Sequence, residues 1–217
     1  SRIKYDRVRD VLTFLLPSFS GFCLFILLPI LASIGLSFTN YRGGKKIAFI
    51  GLKNYIIAFH SSAFQKAFEV TLTFVVFLVL LQIALGLLFA LILNQKIVGR
   101  GFFRSVIFLP VVLSIIATSL TFMLIFHPQK GPLNQFLMSI GLSRLPWLTS
   151  PKTALMTIVI VAIWQTFGYY MILLLSGLQT INPNLYEAAE IDGANRVQKF
   201  RHVTVPMLTP VLFLCII

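Results

Sequence analysis

Residues 186–206 read YEAAEIDGANRVQKFRHVTVP, and this stretch decides how the rest of the 217-residue chain is read. It is a polar island that holds Glu187, Glu190 and Asp192, three of the six acidic residues in the sequence. Apolar runs flank it, residues 153–178 before and 203–217 after. Asn182-Pro183 is a helix start, because Asn can cap free N–H groups and Pro fits the first helical position. Glu187 lies early in that helix, where the macrodipole favours an anion. Ala188 and Ala189 form helix readily and have almost no side chain, so another surface can come close. Asp192-Gly193 marks a bend, with Gly able to take a left-handed conformation. A second polar helical piece, residues 194–202, carries Arg196, Lys199 and Arg201, and Pro206 marks entry into the next apolar run. The pattern predicts a short helix, a bend and a second short helix, held outside a membrane in a loop over residues 179–202.

The runs on either side set the fold class. The chain is 58% hydrophobic and 11% charged, whereas a soluble domain carries about 25% charged residues. An all-α, polytopic membrane protein follows, with spans predicted at 11–38, 70–93, 105–126, 153–178 and 203–217 behind a charged segment 1–10. The last run ends about 14 residues in, short of the roughly 20 that cross a bilayer. The expectation is therefore an incomplete fifth span in a trimmed or partial chain. Pro17 and Pro29 are expected to kink or bound the first span, and Pro110 to interrupt the third early. Gly86 and Ala90 form a small-x-x-x-small pair suited to helix contact. Gln82 and Gln165 are amides well inside spans, where an interhelical hydrogen bond accounts for them.

The net charge of +12 does not indicate a nucleic-acid partner, because the 18 basic residues are scattered over termini and loops. Anionic lipid headgroups are their natural counterpart. With the N-terminus inside, the inner segments hold ten Lys and Arg residues and the longer outer loops eight, which agrees with a cytoplasmic loop 179–202. Cys23 and Cys215 both sit in apolar runs and read as packing residues, and the three separated histidines form no metal-ligand cluster.

The island resembles the cytoplasmic signature loop of ABC importer permeases. Glu187-Ala188-Ala189, Gly193, Val203, Val205 and Pro206 keep the family's spacing, with Val in place of the more usual Ile and Leu. Other motifs are similar to the carbohydrate-type branch, the maltose and glycerol-3-phosphate group. They are Ser37-Phe38, the run from Phe49 to Tyr55, Phe103-Arg104 leading to Phe108-Leu109-Pro110, Gly131-Pro132-Leu133-Asn134, and Trp147-Leu148. Val70 stands where many relatives have Asn. The resemblance implies a type I permease core of about six spans in the full protein and a second permease subunit as partner. It also implies two ATP-binding subunits, which hold ATP and Mg, and an extracytoplasmic solute-binding protein. No cofactor or catalytic residue is expected in this chain. Glu187, Ala188, Ala189, Asp192, Gly193 and Pro206 are the expected coupling residues.

For the substrate path, Ile163, Phe167 and Tyr170 lie at i, i+4 and i+7 on one face of the fourth span. Tyr170 matches a position that faces sugar in the maltose-type relative. Gln165 or Ser114 can hydrogen-bond hydroxyls while aromatic faces cover sugar C–H groups. Packing against neighbouring helices is the alternative for each. A stand-alone carrier or channel is the rival class, but no Asp, Glu, Lys or Arg falls inside a predicted span, which disfavours ion coupling. An intramembrane enzyme would need a nucleophile–base pair or a metal cluster, and neither is present in the sequence.

Overall fold

The structure is a computed structural model that describes residues 13–44, 47–95 and 97–217. The charged segment 1–10 lies outside the described residues, as do Lys45, Lys46 and Lys96. Nine helices account for the described fold, and the only β pairing among these residues is a single bridge between Thr39 and Phe49. They are α1 (Thr13–Ser37), α2 (Lys53–His60), α3 (Ser62–Asn94), α4 (Arg100–Val112), α5 (Ile115–Ile125), α6 (Pro132–Ser139), α7 (Pro151–Thr180), α8 (Pro183–Ile191) and α9 (Arg196–Ile216). Four of them, α1, α3, α7 and α9, are long and apolar enough to cross a membrane, and α4 with α5 makes a fifth if the bent pair counts as one span. The chain divides into two compact units, Ser1–Glu69 and Val70–Ile217.

In the first unit, the motif residues Ser37-Phe38 and Phe49–Tyr55 come together. The Tyr55 hydroxyl lies 2.7 Å from Ser37 Oγ, and Asn54 Nδ2 donates to the carbonyls of Ser37 and Thr39, both at 2.8 Å. These bonds tie the end of α1 to α2. Backbone bonds from Asn40 to Ala48 and from Ile50 to Phe38 close the loop between them.

In the second unit, α7 is the hub, and glycines let its neighbours approach. A Cβ on Gly168 of α7 would sit 2.3 Å from the Ile107 carbonyl oxygen of α4. A Cβ on Gly86 of α3 would lie 3.0 Å from Tyr170 Cβ and Met171 N, and one on Gly177 would lie 2.9 Å from Leu208 and Val211 of α9. The small pair Gly86 and Ala90 is buried, as expected of a helix contact. The main core gathers where α3, α7 and α9 meet: Ala90, Leu93, Met171, Leu174, Leu175, Leu178, Ile181, Leu208 and Cys215. Cys215 is a free, buried thiol, as the packing reading requires.

Two expectations need correction. The third span, expected to be interrupted early at Pro110, is broken further on: α4 and α5 are bent by 93° across Leu113-Ser114. Pro110 lies inside α4, where it removes one backbone donor, and the helix ends two residues later at Val112. Ser114 is extended, and Gln165 Nε2 of α7 donates to the Leu113 carbonyl at 3.4 Å. Broken membrane helices need such partners for freed backbone groups. The second polar piece and the fifth span are also not separate. They form one helix, α9, and Pro206 lies inside it rather than at its start.

A widened π-turn makes this continuity possible. Phe200–Thr204 is a π-turn in which the Val205 N–H reaches the Phe200 carbonyl. Cys23–Leu27 in α1 is another, with the Leu28 N–H on Cys23 O. Each ends two residues before a proline, Pro206 and Pro29. Widening the turn relieves the clash of the ring with the carbonyl below it, so the helix runs through the proline.

Candidate functional site

The polar island is built as a capped helix pair. Asn182 caps α8, its side chain accepting from Asn184 N at 3.0 Å, and Pro183 fills the first position. Glu187 therefore falls in the second turn of α8, past the first turn where the dipole acts most strongly. The far end closes as a Schellman motif. Gly193 N donates to Glu190 O at 3.0 Å and Ala194 N to Ala189 O at 2.9 Å, with Gly193 at a φ of 77°. Asn195 and Gln198 then exchange bonds of 2.8 and 2.9 Å in a capping box that starts α9. All of this is local chemistry, and it fixes the bend without help from the core.

Two ties hold α8 against α9. Lys199 Nζ pairs with Glu190 Oε1 at 2.6 Å. The hydrogen bond to Lys199, then its charge, lowers the Glu190 pKa below 4.5. Lower down, the Tyr186 hydroxyl meets Thr204 Oγ1 at 3.0 Å, and Thr204 is 5% exposed. Tyr186 and Val203 pack on the main core. Sequence reading missed both ties, because they join residues 9 and 18 positions apart across a bend.

The outer surface of this pair is open. Glu187, Ala188, Asp192 and Gly193 are exposed and Ala189 is half-buried. Ala189, Asp192, Gly193, Gln198 and His202 border a shallow notch of about 400 Å³. Ile191 and Val197 stand 87% and 73% exposed beside it. These apolar side chains were the readable but unread signal: two aliphatic residues in a polar loop, on either side of a glycine bend. The surface offers small residues, the Glu187 and Asp192 carboxylates and two exposed aliphatic side chains.

The residues predicted for a substrate path separate into two groups. Ile163 is buried, Phe167 packs on Phe89 of α3 with ring centroids 5.6 Å apart, and Tyr170 packs at Gly86. Gln165 lines a cleft of about 350 Å³ with Phe74, Ser119, Phe122 and Phe126. Ser114 lies at the bend beside Leu113, whose carbonyl Gln165 holds. Gln82 is buried and accepts from Thr166 Oγ1 at 3.1 Å, the interhelical bond expected of it.

Apolar spans with close glycine contacts and a capped polar helix pair between the last two are the features of a polytopic membrane protein. The chain belongs to the family described as the binding-protein-dependent transport system inner membrane component, which matches residues 82–216. It is 38% identical to a probable ABC transporter permease protein, YurN of Bacillus subtilis, over 94% of this chain and 71% of that one. It is 36% identical to the trehalose/maltose transport system permease protein MalF of Thermococcus litoralis, over 100% of this chain and 74% of that one. Among solved structures it resembles a bacterial alginate ABC transporter in complex with an alginate pentasaccharide-bound periplasmic protein. There the TM-score is 0.81 at 29% identity, covering 98% of this chain and 72% of that one. The chain is thus a permease subunit of an ABC importer, and the fold class read from sequence holds.

Proposed function

We propose that this permease carries a sugar or sugar derivative across the cytoplasmic membrane, with its N-terminus and the loop 179–202 on the cytoplasmic side. It pairs with a second permease subunit, and an extracytoplasmic binding protein delivers the solute. Two partner subunits hydrolyse ATP with Mg and press on Glu187, Ala188, Ala189, Asp192 and Gly193, while Pro206 lies in the span that receives the motion. The observation that carries this reading is α8 itself, a largely exposed helix with Ala188 and Ala189 on it, capped at both ends and joined to α9 through a Schellman bend and a capping box. Closure of the partners then becomes a rigid-body movement of the attached spans. The saccharide reading is supported by the names of the relatives and by an aromatic cleft that holds an amide and a hydroxyl.

The test is ATPase activity of the full-length protein reconstituted with its neighbours, for the wild type, Glu187→Ala and Gly193→Pro. Solute-loaded binding protein is expected to stimulate the wild type and not the variants. Equal stimulation of all three would reduce the loop to a connector. For the path, Gln165→Ala is expected to weaken transport affinity about tenfold, the worth of roughly one buried hydrogen bond. Unchanged affinity in both Gln165→Ala and Tyr170→Ala would place the path elsewhere.

A further inference from the structure

The coupling surface ends at Gly193, but a push delivered there must reach α9, and the chain offers two routes. One is the covalent bend, Asp192–Asn195. The other is the pair of cross-ties, of which Glu190–Lys199 is an exposed ion pair that salt and water weaken. The Tyr186–Thr204 contact differs in kind. Thr204 is 5% exposed, it ends the π-turn, and its Oγ1 also makes a long, 3.5 Å contact to the Lys199 carbonyl. A hydroxyl has one proton. Either hydroxyl can be the donor, and the contact links α8 to the widened turn of α9.

We propose that Tyr186 and Thr204 are positioning residues that pass movement of α8 to α9, so that α8 and the first turns of α9 shift as one body. This rests on the reading of α8 as the coupling helix. The placement supports it in three ways. The tie lies in the N-terminal half of α8, more than a turn away from the exposed tip at Gly193. It is part-buried beside core side chains, with Thr204 5% exposed, where water competes less for a hydrogen bond. And it grips α9 at the π-turn, next to Pro206, where the regular hydrogen-bond ladder is interrupted and the helix is easiest to bend.

The experiment uses the whole transporter, full-length chain with its partner subunits, in proteoliposomes. The readouts are co-purification of the ATPase subunits and solute transported per ATP hydrolysed. Tyr186→Phe and Thr204→Val remove the hydroxyls with little change of shape, and Thr204→Ser keeps one. Tyr186→Phe and Thr204→Val are each expected to keep the ATPase subunits bound and to lower the transport-to-ATP ratio about fivefold. The double variant is expected to be no worse than either single one, and Thr204→Ser to match the wild type. A wild-type ratio in Tyr186→Phe and Thr204→Val would overturn the proposal, as would additive losses in the double variant or loss of the ATPase subunits from the single ones. If the wild type itself holds no ATPase subunit, or Gly193→Pro couples normally, the coupling-helix reading fails instead, and the two failures are told apart.

Discussion

Gly193 shows how a single residue fixes the site. Its φ is 77°, and open space lies where a Cβ would point. A substitution there meets no neighbour, so its cost is backbone strain alone, about 1–2 kcal/mol for Ala and less for Asn. Pro is worse, since it fixes φ near −65° and deletes the N–H that bonds Glu190 O. Solute moved per ATP is expected to fall in the order wild type, Asn, Ala, Pro. Equal ratios for Ala and Pro would show that the left-handed bend is not what matters. Glu190 gives a pH test. Its folded pKa is lowered by Lys199, so its contribution is complete above the ordinary value of 4.5 and is lost as pH falls through the lowered pKa. Glu190→Gln is therefore expected to lower stability slightly near neutrality, as suits an exposed pair, and to converge with the wild type as pH falls below 4.5, as thermal melting over a pH series would show. At this scale the sequence was readable wherever the chemistry was local. Asn182, Pro183 and Gly193 announced their caps. Glu187 was read one turn too early in the helix, and the partner of Tyr186 was hidden because it depends on two helices folding back on each other.

Among the elements, α7 bears the tightest contacts. Gly168→Ala would force a methyl to within 2.3 Å of the Ile107 carbonyl, a backbone atom that cannot swing away. Gly86→Ala meets its neighbours at 3.0 Å. The first is expected to cost about 2–3 kcal/mol and the second clearly less, read as midpoints of thermal unfolding in one detergent. The reverse order would mean that α4 slides along α7 more freely than α3 does. The connection from α5 to α7 depends on Asn134, which is 1% exposed. Its amide donates to Pro128 O and Leu145 O at 2.8 and 2.9 Å and accepts from Leu145 N and Trp147 Nε1 at 3.1 and 2.9 Å. Asn134→Ala strands all four and is expected to expose the segment 127–150 to protease at concentrations that spare the wild type. Runs such as 70–93 and 153–178 were legible because hydropathy alone selects them. The turn at Leu113-Ser114 was legible only as an interruption at Pro110, since its angle is set by α7 and by the Gln165 amide. The π-turns were not legible, because a proline within a helix pattern reads as an end.

For the whole molecule, composition settled the class and left the arrangement open. A chain that is 58% hydrophobic and 11% charged must bury much of its apolar surface or present it to bilayer lipid. Which helix would become the hub could not be read from hydropathy. It followed from where glycines permit backbones to touch, and that is a property of pairs. The core of the second unit lies toward the ends of α3 and α7 nearest α8, while much of α5 stays exposed beside the aromatic cleft. The consequence is mechanical. If α8 takes the push, as proposed, the buried cluster lies on the side of the unit next to it. Compliance is left at the opposite end of the second unit, where α5 and the bend at Ser114 can yield. Amide exchange is expected to be slowest around residues 171–178, where buried side chains cluster.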